Sequence, residues 1–240
     1  MSVVFSALTI ADVDRPLFRN TVAPLIPERA FGDLSSSPSD WVIADALIRR
    51  VPSSAPRSAS AVITDPFDDA RWAAAVGWPF RHWRASRFSD GSFGVWYGAD
   101  SFETAACESA WHWQQGLLAD AGFDHGAVVS ERHVYTVACR ALLLDFTAAV
   151  DHSPELRHPT RYDLAQPVGA RLHHEGHPGL LLPSVRRAEG ETFAIFTPVV
   201  LSAPMLAEHC IYRQLDDGLV VERTSGSLRL RRRPAGFSVG

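Results

Sequence analysis

A glutamate in the middle of a predicted helix has the clearest capacity for chemistry. Asp100 and Glu103 have the three-residue spacing of an N-terminal capping box, which predicts a helix that begins at about Ser101. Glu108 lies in the second turn of this helix, among alanine, cysteine and tryptophan. A carboxylate in such surroundings must be paired, hydrogen-bonded or functional, because burying a bare charge is unfavourable. The alternative is a glutamate that faces solvent on an amphipathic helix.

Arginine is the second residue type with chemical consequences. All 23 basic residues are arginines, so any anionic ligand must be held by guanidinium groups, which bind phosphate in a bidentate way. Arg87 is followed by the turn formers Asp90-Gly91 and Gly94 and then by the β-prone run 95–97. This order predicts a hairpin or tight loop that brings Arg87 close to Tyr97.

The elements that must position these residues mix helices with strands. Apolar spacing and breaker residues predict helices over 40–50, over 68–76 with an end at Gly77 and Pro79, and over 162–175 with an end at Gly176. Runs of β-branched and apolar residues predict strands over 134–146, 192–196 and 211–222. Turns at Glu189-Gly190 and Asp217-Gly218 suit antiparallel pairing. The predicted class is therefore α+β, with a mainly antiparallel sheet and flanking helices.

Composition limits the classes of function. The 240 residues suffice for one large domain or two small ones, and 46% hydrophobic residues suffice for a buried core. A net charge of -4 gives no general attraction to nucleic acid or to anionic membranes. The apolar runs are too short to span a bilayer and no signal peptide is evident, so we expect a cytoplasmic protein. The three widely spaced cysteines are expected to be reduced core thiols.

Several of these parts resemble, in order, the core of the RES domain, a family named for its Arg, Glu and Ser. The resemblance is carried by Arg-Phe-Ser-Asp-Gly from Arg87, Gly-Val-Trp-Tyr-Gly-Ala from Gly94, and Glu-Thr-Ala-x-x-Glu from Glu103 to Glu108. It continues through Gln166, Gly169, Pro-Ser-Val-Arg from Pro183 and Phe-Thr-Pro from Phe196. The similar part extends over about 19–216 of one domain of 1–240. The remaining residues 223–240, with Arg229 and Arg231–Arg233, are expected to form a solvated tail, and a tail that binds a partner is the alternative.

The resemblance implies a fold like that of ADP-ribosyltransferases and an activity on NAD+. The expected protein is the toxin of a toxin–antitoxin pair, which cleaves the bond between nicotinamide and ribose and transfers ADP-ribose to phosphate or water. Phosphorylase, glycohydrolase and protein ADP-ribosyltransferase activities all stay open at this point. A catalytically silent module that binds a nucleotide or a partner is the alternative from a different class.

The resemblance also implies roles for particular residues. Glu108 would stabilise the positive charge that develops on the ribose. Arg87, with Arg19 from an early aromatic-Arg pair, would hold the pyrophosphate, although Arg19 also fits an ordinary surface arginine. Tyr97 would stack on or orient a ring, and Ser184 would donate to ribose or phosphate, although a serine after a proline also suits a plain turn. Ala165 departs from the family pattern, in which a small hydroxyl residue often stands there.

The expected ligands and partners follow from the same resemblance. NAD+ is expected as a substrate, inorganic phosphate as an acceptor, and an Xre-like antitoxin as a protein partner. Arg186 and Arg187 would be extra donors to phosphate. No membrane or direct nucleic-acid contact is expected, and no metal either. The group His173, His174, Glu175 and His177 lacks the HExxH spacing that would place two imidazoles on one ion.

Overall fold

The computed structural model describes residues 2–5, 8–23, 70–118, 128–234 and 236–240. The helix predicted over 40–50 and the first two residues of that over 68–76 lie outside this part. The strands are β1 Thr9–Val22, β2 Trp96–Ala99, β3 Val129–Asp145, β4 Gly179–Pro183, β5 Glu191–Ile195, β6 Leu201–Leu215, β7 Gly218–Arg223, β8 Gly226–Arg233 and β9 Gly236–Val239. The α-helices are α1 Ser2–Phe5, α2 Ala70–Trp72, α3 Trp78–Arg81, α4 Phe102–His112, α5 Ala149–His152 and α6 Ala165–His174.

The described strands form one sheet that closes on itself at one end. Their order is β1-β2-β5-β4-β3-β6-β7-β8-β9, and β1 pairs with β3 as well, so that the first five strands form a ring. Strands β3 and β4 run parallel, and the other pairs are antiparallel. Val13, Leu17 and Trp96 belong to a buried apolar cluster that these strands share. The predicted α+β class with a mainly antiparallel sheet is confirmed.

The ring is weakest where β1 meets β2. These strands share a single pair of partners, Phe18 and Ala99, whereas β1 pairs with β3 along its whole length from Thr9 to Val22. A cleft opens here, next to helix α4.

The C-terminal residues correct a prediction. The expected solvated tail 223–240 instead forms the end of β7 and strands β8 and β9, which extend the sheet. Leu228 and Leu230 alternate with arginines along β8 and are buried, and Phe237 of β9 joins the same core. The arginines therefore occupy the solvent side of an amphipathic strand, and the apolar alternation between them decides the structure.

The helix expected to stop at Gly77 and Pro79 continues past both residues, so its predicted end is wrong. Helix α2 passes through a π-helical segment, Ala73–Gly77, into α3. The amide of Trp78 donates to the carbonyl of Ala73, five residues back. Pro79 then stands in the first turn of α3, where a missing N–H removes no bond of that helix.

The other predicted elements agree with the structure. Strand β3 covers the run predicted over 134–146, and α6 lies within the range 162–175 and is followed by Gly176 in the left-handed region, with φ of 79°. The turns at Glu189-Gly190 and Asp217-Gly218 connect antiparallel partners. All three cysteines are buried thiols, and burial raises the pKa of Cys107 to about 12.

Candidate active site

A cleft of about 420 Å³ lies between the meeting point of β1 and β2 and helix α4. Four of the segments that line it carry predicted site residues: the end of β1 with Arg19, strand β2 with Tyr97, the loop with Arg87, and the face of α4 with Glu108. Sequence positions that lie far apart are thus brought together. Of the five predicted site residues, these four line the cleft and Ser184 does not.

Helix α4 presents Glu108 to the cleft in a fixed orientation. The helix is capped by Ser101, whose hydroxyl accepts from the amide of Thr104 at 3.2 Å, so the cap predicted at Asp100 is one residue early. Ala105 and His112 lie on the same face as Glu108 and also line the cleft. The side chain of Glu108 is only 23% exposed, which favours the functional interpretation over a solvent-facing glutamate.

Two side chains behind the cleft hold the carboxylate. The hydroxyl of Ser184 donates to Oε1 of Glu108 at 2.6 Å. Nε of Arg186 lies 3.9 Å from the other oxygen, Oε2. One oxygen is therefore fixed by a short charge-assisted hydrogen bond, and the other faces a nearby positive charge.

The position of Ser184 corrects its predicted role as a donor to ribose or phosphate. The residue is fully buried, and its single hydroxyl proton points to Glu108. Its oxygen accepts from the amides of Arg186 and Arg187, each at 3.1 Å. Ser184 therefore orients Glu108 and closes a tight loop, because neither its proton nor its surface faces the cleft.

Arg186 and Arg187 are also placed differently from the expectation that they donate to phosphate. The guanidinium of Arg186 is buried, lies 4.0 Å from the ring centre of Trp111 and donates to the carbonyl of Pro159. Burial lowers the pKa of Arg186 to about 10, and Glu108 partly opposes this effect, so the group is charged at neutral pH. Arg187 donates to Thr104 at 3.2 Å. Both arginines thus fix the protein behind the carboxylate.

The loop that carries Arg87 is locked by residues from two other elements. The hydroxyl of Tyr97 accepts from the amide of Phe88 at 3.1 Å and shares a hydrogen bond of 2.9 Å with the hydroxyl of Ser86. Gln166 of α6 donates to the carbonyls of Ser86 and Ser89 at 3.0 and 3.2 Å. The predicted proximity of Arg87 and Tyr97 is therefore confirmed. Helix α6, from a distant part of the chain, also fixes the loop.

Gly169 allows helix α6 to approach this loop. A Cβ on Gly169 would lie 2.8 Å from the backbone carbon of Phe88, closer than real Cβ contacts. Only glycine fits at this point, because the backbone of the loop rests on the helix. Gln166 and Gly169 thus have one shared physical purpose, which is to position the loop that carries Arg87.

The guanidinium of Arg87 is held at one end. Its Nη1 donates to the carbonyls of Leu156 and His158 at 3.0 and 2.9 Å, and its centre lies 4.8 Å from the ring of Tyr162. Burial lowers the pKa of Arg87, and the nearby Tyr162 and Glu108 oppose this shift. Within the described chain, Nε and Nη2 have no hydrogen-bond partner. These N–H groups are suited to an anion at the cleft.

Arg19 and Tyr97 connect β1 to β2. Nη1 of Arg19 donates to the carbonyl of Tyr97 at 2.7 Å, and burial lowers the pKa of Arg19 to about 10. Burial also raises the pKa of Tyr97 to about 12, so the phenol is neutral and serves as a hydrogen-bonding group. Arg19 is therefore not the exposed surface arginine of the alternative interpretation. It also connects two strands of the sheet.

Three further residues line the cleft but were not among the site residues predicted from the sequence. Asn20 lines it and donates to the hydroxyl of Tyr212 at 2.7 Å. His112 lies one turn after Glu108, and the surrounding protein excludes enough water to lower its pKa. Tyr162 lies against Arg87. Only His112 carried a signal, its four-residue spacing from Glu108, because the other two reach the cleft through tertiary contacts.

No described helix is long and apolar enough to cross a membrane. The described residues also contain no group of three or more His, Cys, Asp or Glu side chains with the geometry of a metal site. Glu175, considered as a ligand from the sequence, binds Arg171 at 2.7 Å.

Comparison with known proteins gives a family match. The family model described as RES domain matches residues 47–213, a range that contains Arg87, Tyr97, Glu108 and Ser184 but not Arg19. No curated protein matches the chain. The crystal structure of the M. tuberculosis MbcT–MbcA toxin–antitoxin complex contains a chain similar to this one, with 14% identity over 85% of this chain and 90% of that chain and a TM-score of 0.44. This similarity is remote, and the family match is the stronger finding.

Proposed function

The chain belongs to the RES domain family, and on this premise we propose that it cleaves NAD+ at the bond between nicotinamide and ribose. The fold is proposed to be like that of ADP-ribosyltransferases. The observation that carries the proposal is the carboxylate of Glu108, which lines the cleft while Ser184 and Arg186 hold it from behind.

The chemistry requires such a carboxylate. When the glycosidic bond breaks, the ribose gains oxocarbenium character, and a fixed negative charge stabilises that transition state. Ser184 restrains one oxygen of Glu108, so little reorganisation is needed when the positive charge develops. The partial burial of Glu108 strengthens this interaction because water screens it less. Glu108 is the proposed catalytic residue.

The cleft also suits a dinucleotide in size and charge. Its volume of about 420 Å³ lies in the range of small-molecule sites, roughly 300–1,000 Å³. Nε and Nη2 of Arg87 offer N–H groups for the pyrophosphate, and Arg19 adds a second positive charge to the lining of the cleft. The ring of Tyr97 forms part of the wall, so it is proposed to orient a ring of the substrate while its hydroxyl stays in the loop.

Inorganic phosphate is the proposed acceptor. Its oxygen would attack the ribose carbon as the bond to nicotinamide breaks, giving ADP-ribose 1″-phosphate and free nicotinamide. A cleft with arginine on two walls attracts this second oxyanion as well as the pyrophosphate. Water as acceptor would give ADP-ribose, and a protein side chain would give a modified protein.

Loss of cellular NAD+ makes such an enzyme toxic, so we expect a partner that blocks it. The proposed partner is an antitoxin of the Xre-like class whose surface covers the cleft. In this arrangement the protein is the toxin of a toxin–antitoxin pair that acts in the cytoplasm.

The test compares two glutamates of helix α4. Purified wild type, Glu108→Gln and Glu103→Gln are incubated with NAD+ in buffers with and without phosphate, and products are identified by mass. Glu103 is the matched control, because it lies in the first turn, 3.9 Å from Arg223. We expect Glu108→Gln to reduce cleavage by about 100-fold or more, the scale for loss of a preorganised electrostatic group.

Each result separates the candidate functions. Phosphate-dependent ADP-ribose 1″-phosphate supports the phosphorylase, free ADP-ribose in both buffers indicates a glycohydrolase, and label on protein indicates a transferase. NAD+ binding with no turnover would support the silent binding module. Equal turnover by folded wild type and Glu108→Gln would overturn the assignment of Glu108.

A further inference from the structure

The C-terminal strand β9 lies outside the family match yet contacts the loop behind the cleft. The amide of Phe237 donates to the carbonyl of Arg186 at 2.9 Å. Gly236 packs on the same backbone, and a Cβ there would lie 2.6 Å from Cα of Arg186 and closer still to its carbonyl oxygen. The main chain of Arg186 therefore rests directly on β9.

The loop of residues 184–190 is compact, so that a shift at one point reaches the others. The amide of Ser184 donates to the carbonyl of Gly190 at 2.7 Å, and the amide of Gly190 donates to that of Arg187 at 3.2 Å. The hydroxyl of Ser184 binds the amides of the next residues as well as Glu108. On the far side, a Cβ on Gly190 would lie 2.7 Å from Cγ2 of Thr104 in helix α4. The loop is thus confined between β9 and the helix that carries the carboxylate.

From these contacts we infer that Gly236 and Phe237 position Glu108 through the backbone of Arg186, an inference that rests on the proposed cleavage of NAD+. Strand β9 fixes Arg186, the short loop transmits its position to Ser184, and Ser184 sets the carboxylate. Gly236 is a positioning residue because it does not itself line the cleft. Displacements near 1 Å in such supports reduce turnover by about 100-fold.

The test compares three substitutions near the C-terminus. Gly236→Ala pushes a methyl group into the backbone of Arg186, whereas in Gly240→Ala the new Cβ meets its nearest atom, Nε of Arg231, at 3.6 Å, an ordinary contact. Phe237→Leu keeps the amide that binds Arg186 but loses aromatic packing in the core around α4. For each protein we would measure kcat and KM for NAD+, the thermal midpoint Tm and a crystal structure.

We expect Gly236→Ala to lower kcat by about 10- to 100-fold with KM within about 2-fold, because the carboxylate acts in the transition state. Gly240→Ala should match wild type. Phe237→Leu should lower Tm more than Gly236→Ala does, with a smaller effect on kcat. Adding Gly236→Ala to Glu108→Gln should change kcat no further, since both act on one carboxylate.

The structural measurement separates this inference from the proposed function. In Gly236→Ala crystals, the hydrogen bond from Ser184 to Glu108 should be longer than 2.6 Å, whether or not the wild type cleaves NAD+. A wild type that cleaves no NAD+ would refute the proposed function but not the positioning of Glu108. An unchanged bond would overturn the positioning role. If kcat merely falls in proportion to Tm across the variants, the positioning role is overturned as well. The comparison of kcat with Tm can still be made with Phe237→Leu if Gly236→Ala does not fold.

Discussion

The hydrogen bonds that shape the cleft join residues far apart in the chain, whereas those of the β6–β9 meander join neighbouring hairpin strands. Ser184 reaches Glu108 across 76 residues, and Gln166 reaches Ser86 across 80. In the meander, β6, β7, β8 and β9 pair in chain order. Behind the cleft, the polar residues Ser184 and Arg186 are buried, while the interior of the meander is apolar, with Leu219 and Leu230.

This difference separates activity from stability. Polar groups buried behind the cleft contribute little net stability but restrict the geometry of one carboxylate. Apolar residues of the meander contribute stability through burial and take no part in the chemistry. Apart from Gly236 and Phe237, where β9 contacts Arg186, substitutions in the two regions should therefore affect different measurements.

The largest expected effect is on the stability of the meander. Leu219→Ala removes a fully buried side chain from the core shared with α4 and should lower the free energy of unfolding by about 2–5 kcal/mol. Chemical denaturation measures this change. The kcat for NAD+, measured where the variant is fully folded, should stay within about 2-fold of wild type because Leu219 neither lines the cleft nor binds the carboxylate. A large loss of kcat in the folded variant would break the separation.

The next effect is on activity, from the buried serine behind the cleft. Ser184→Ala leaves Oε1 of Glu108 and the amide of Arg186 without their partner, and should lower kcat by about 100-fold. Tm should fall only modestly. The meander offers a matched control, because Ser225 also donates to a glutamate, Glu208, at 3.0 Å but on the surface. Ser225→Ala should leave both kcat and Tm unchanged, and equal losses in the two variants would contradict the comparison.

The same difference explains what could be predicted from the sequence. The loop near Arg87, the helix with Glu108 and the strand with Tyr97 follow from neighbouring residues, and these predictions agree with the structure apart from the cap at Ser101. The burial of Ser184 did not follow, because Pro183 and the turn after it indicate local shape but not which distant helix covers the loop.

The errors outside the cleft have a similar cause. Four arginines near the C-terminus suggested a solvated segment, although Leu228 and Leu230 alternate with them and bury against α4. Short apolar alternation indicates a strand only when a sheet is present to receive it, and β7 supplies that sheet. The helix through Gly77 and Pro79 continues because a π-helical turn shifts its hydrogen bonds, which residue propensity does not encode.

A moderate effect is expected for substrate binding at Arg87. Arg87→Lys keeps the charge but loses the planar group that binds Leu156 and His158 and that is proposed to hold the pyrophosphate, so KM for NAD+ should rise by about 10-fold with a smaller change in kcat. Steady-state kinetics measures both constants. Arg140→Lys is the control, because Arg140 is an exposed arginine 3.5 Å from Asp14 on the outer face of the sheet. A normal KM in Arg87→Lys would make Arg87 purely structural.

The smallest effect is expected for the charges on the outer face of the meander. Nη2 of Arg229 donates to both oxygens of Asp217 at 3.0 Å, and the two side chains are 48% and 56% exposed. Water and salt screen the attraction, and ordering two long side chains opposes it, so the coupling free energy should be about 0.2–1 kcal/mol. A double-mutant cycle of Arg229→Gln and Asp217→Asn, measured by chemical denaturation at low and high salt, gives this quantity. Cleavage of NAD+ should be unchanged in all three variants, because the pair lies on the surface. The buried leucines of these strands, not their arginines, hold the strands in the sheet. A coupling above about 2 kcal/mol that persists at high salt would show that polar contacts also stabilise the meander, and would contradict the contrast with the cleft.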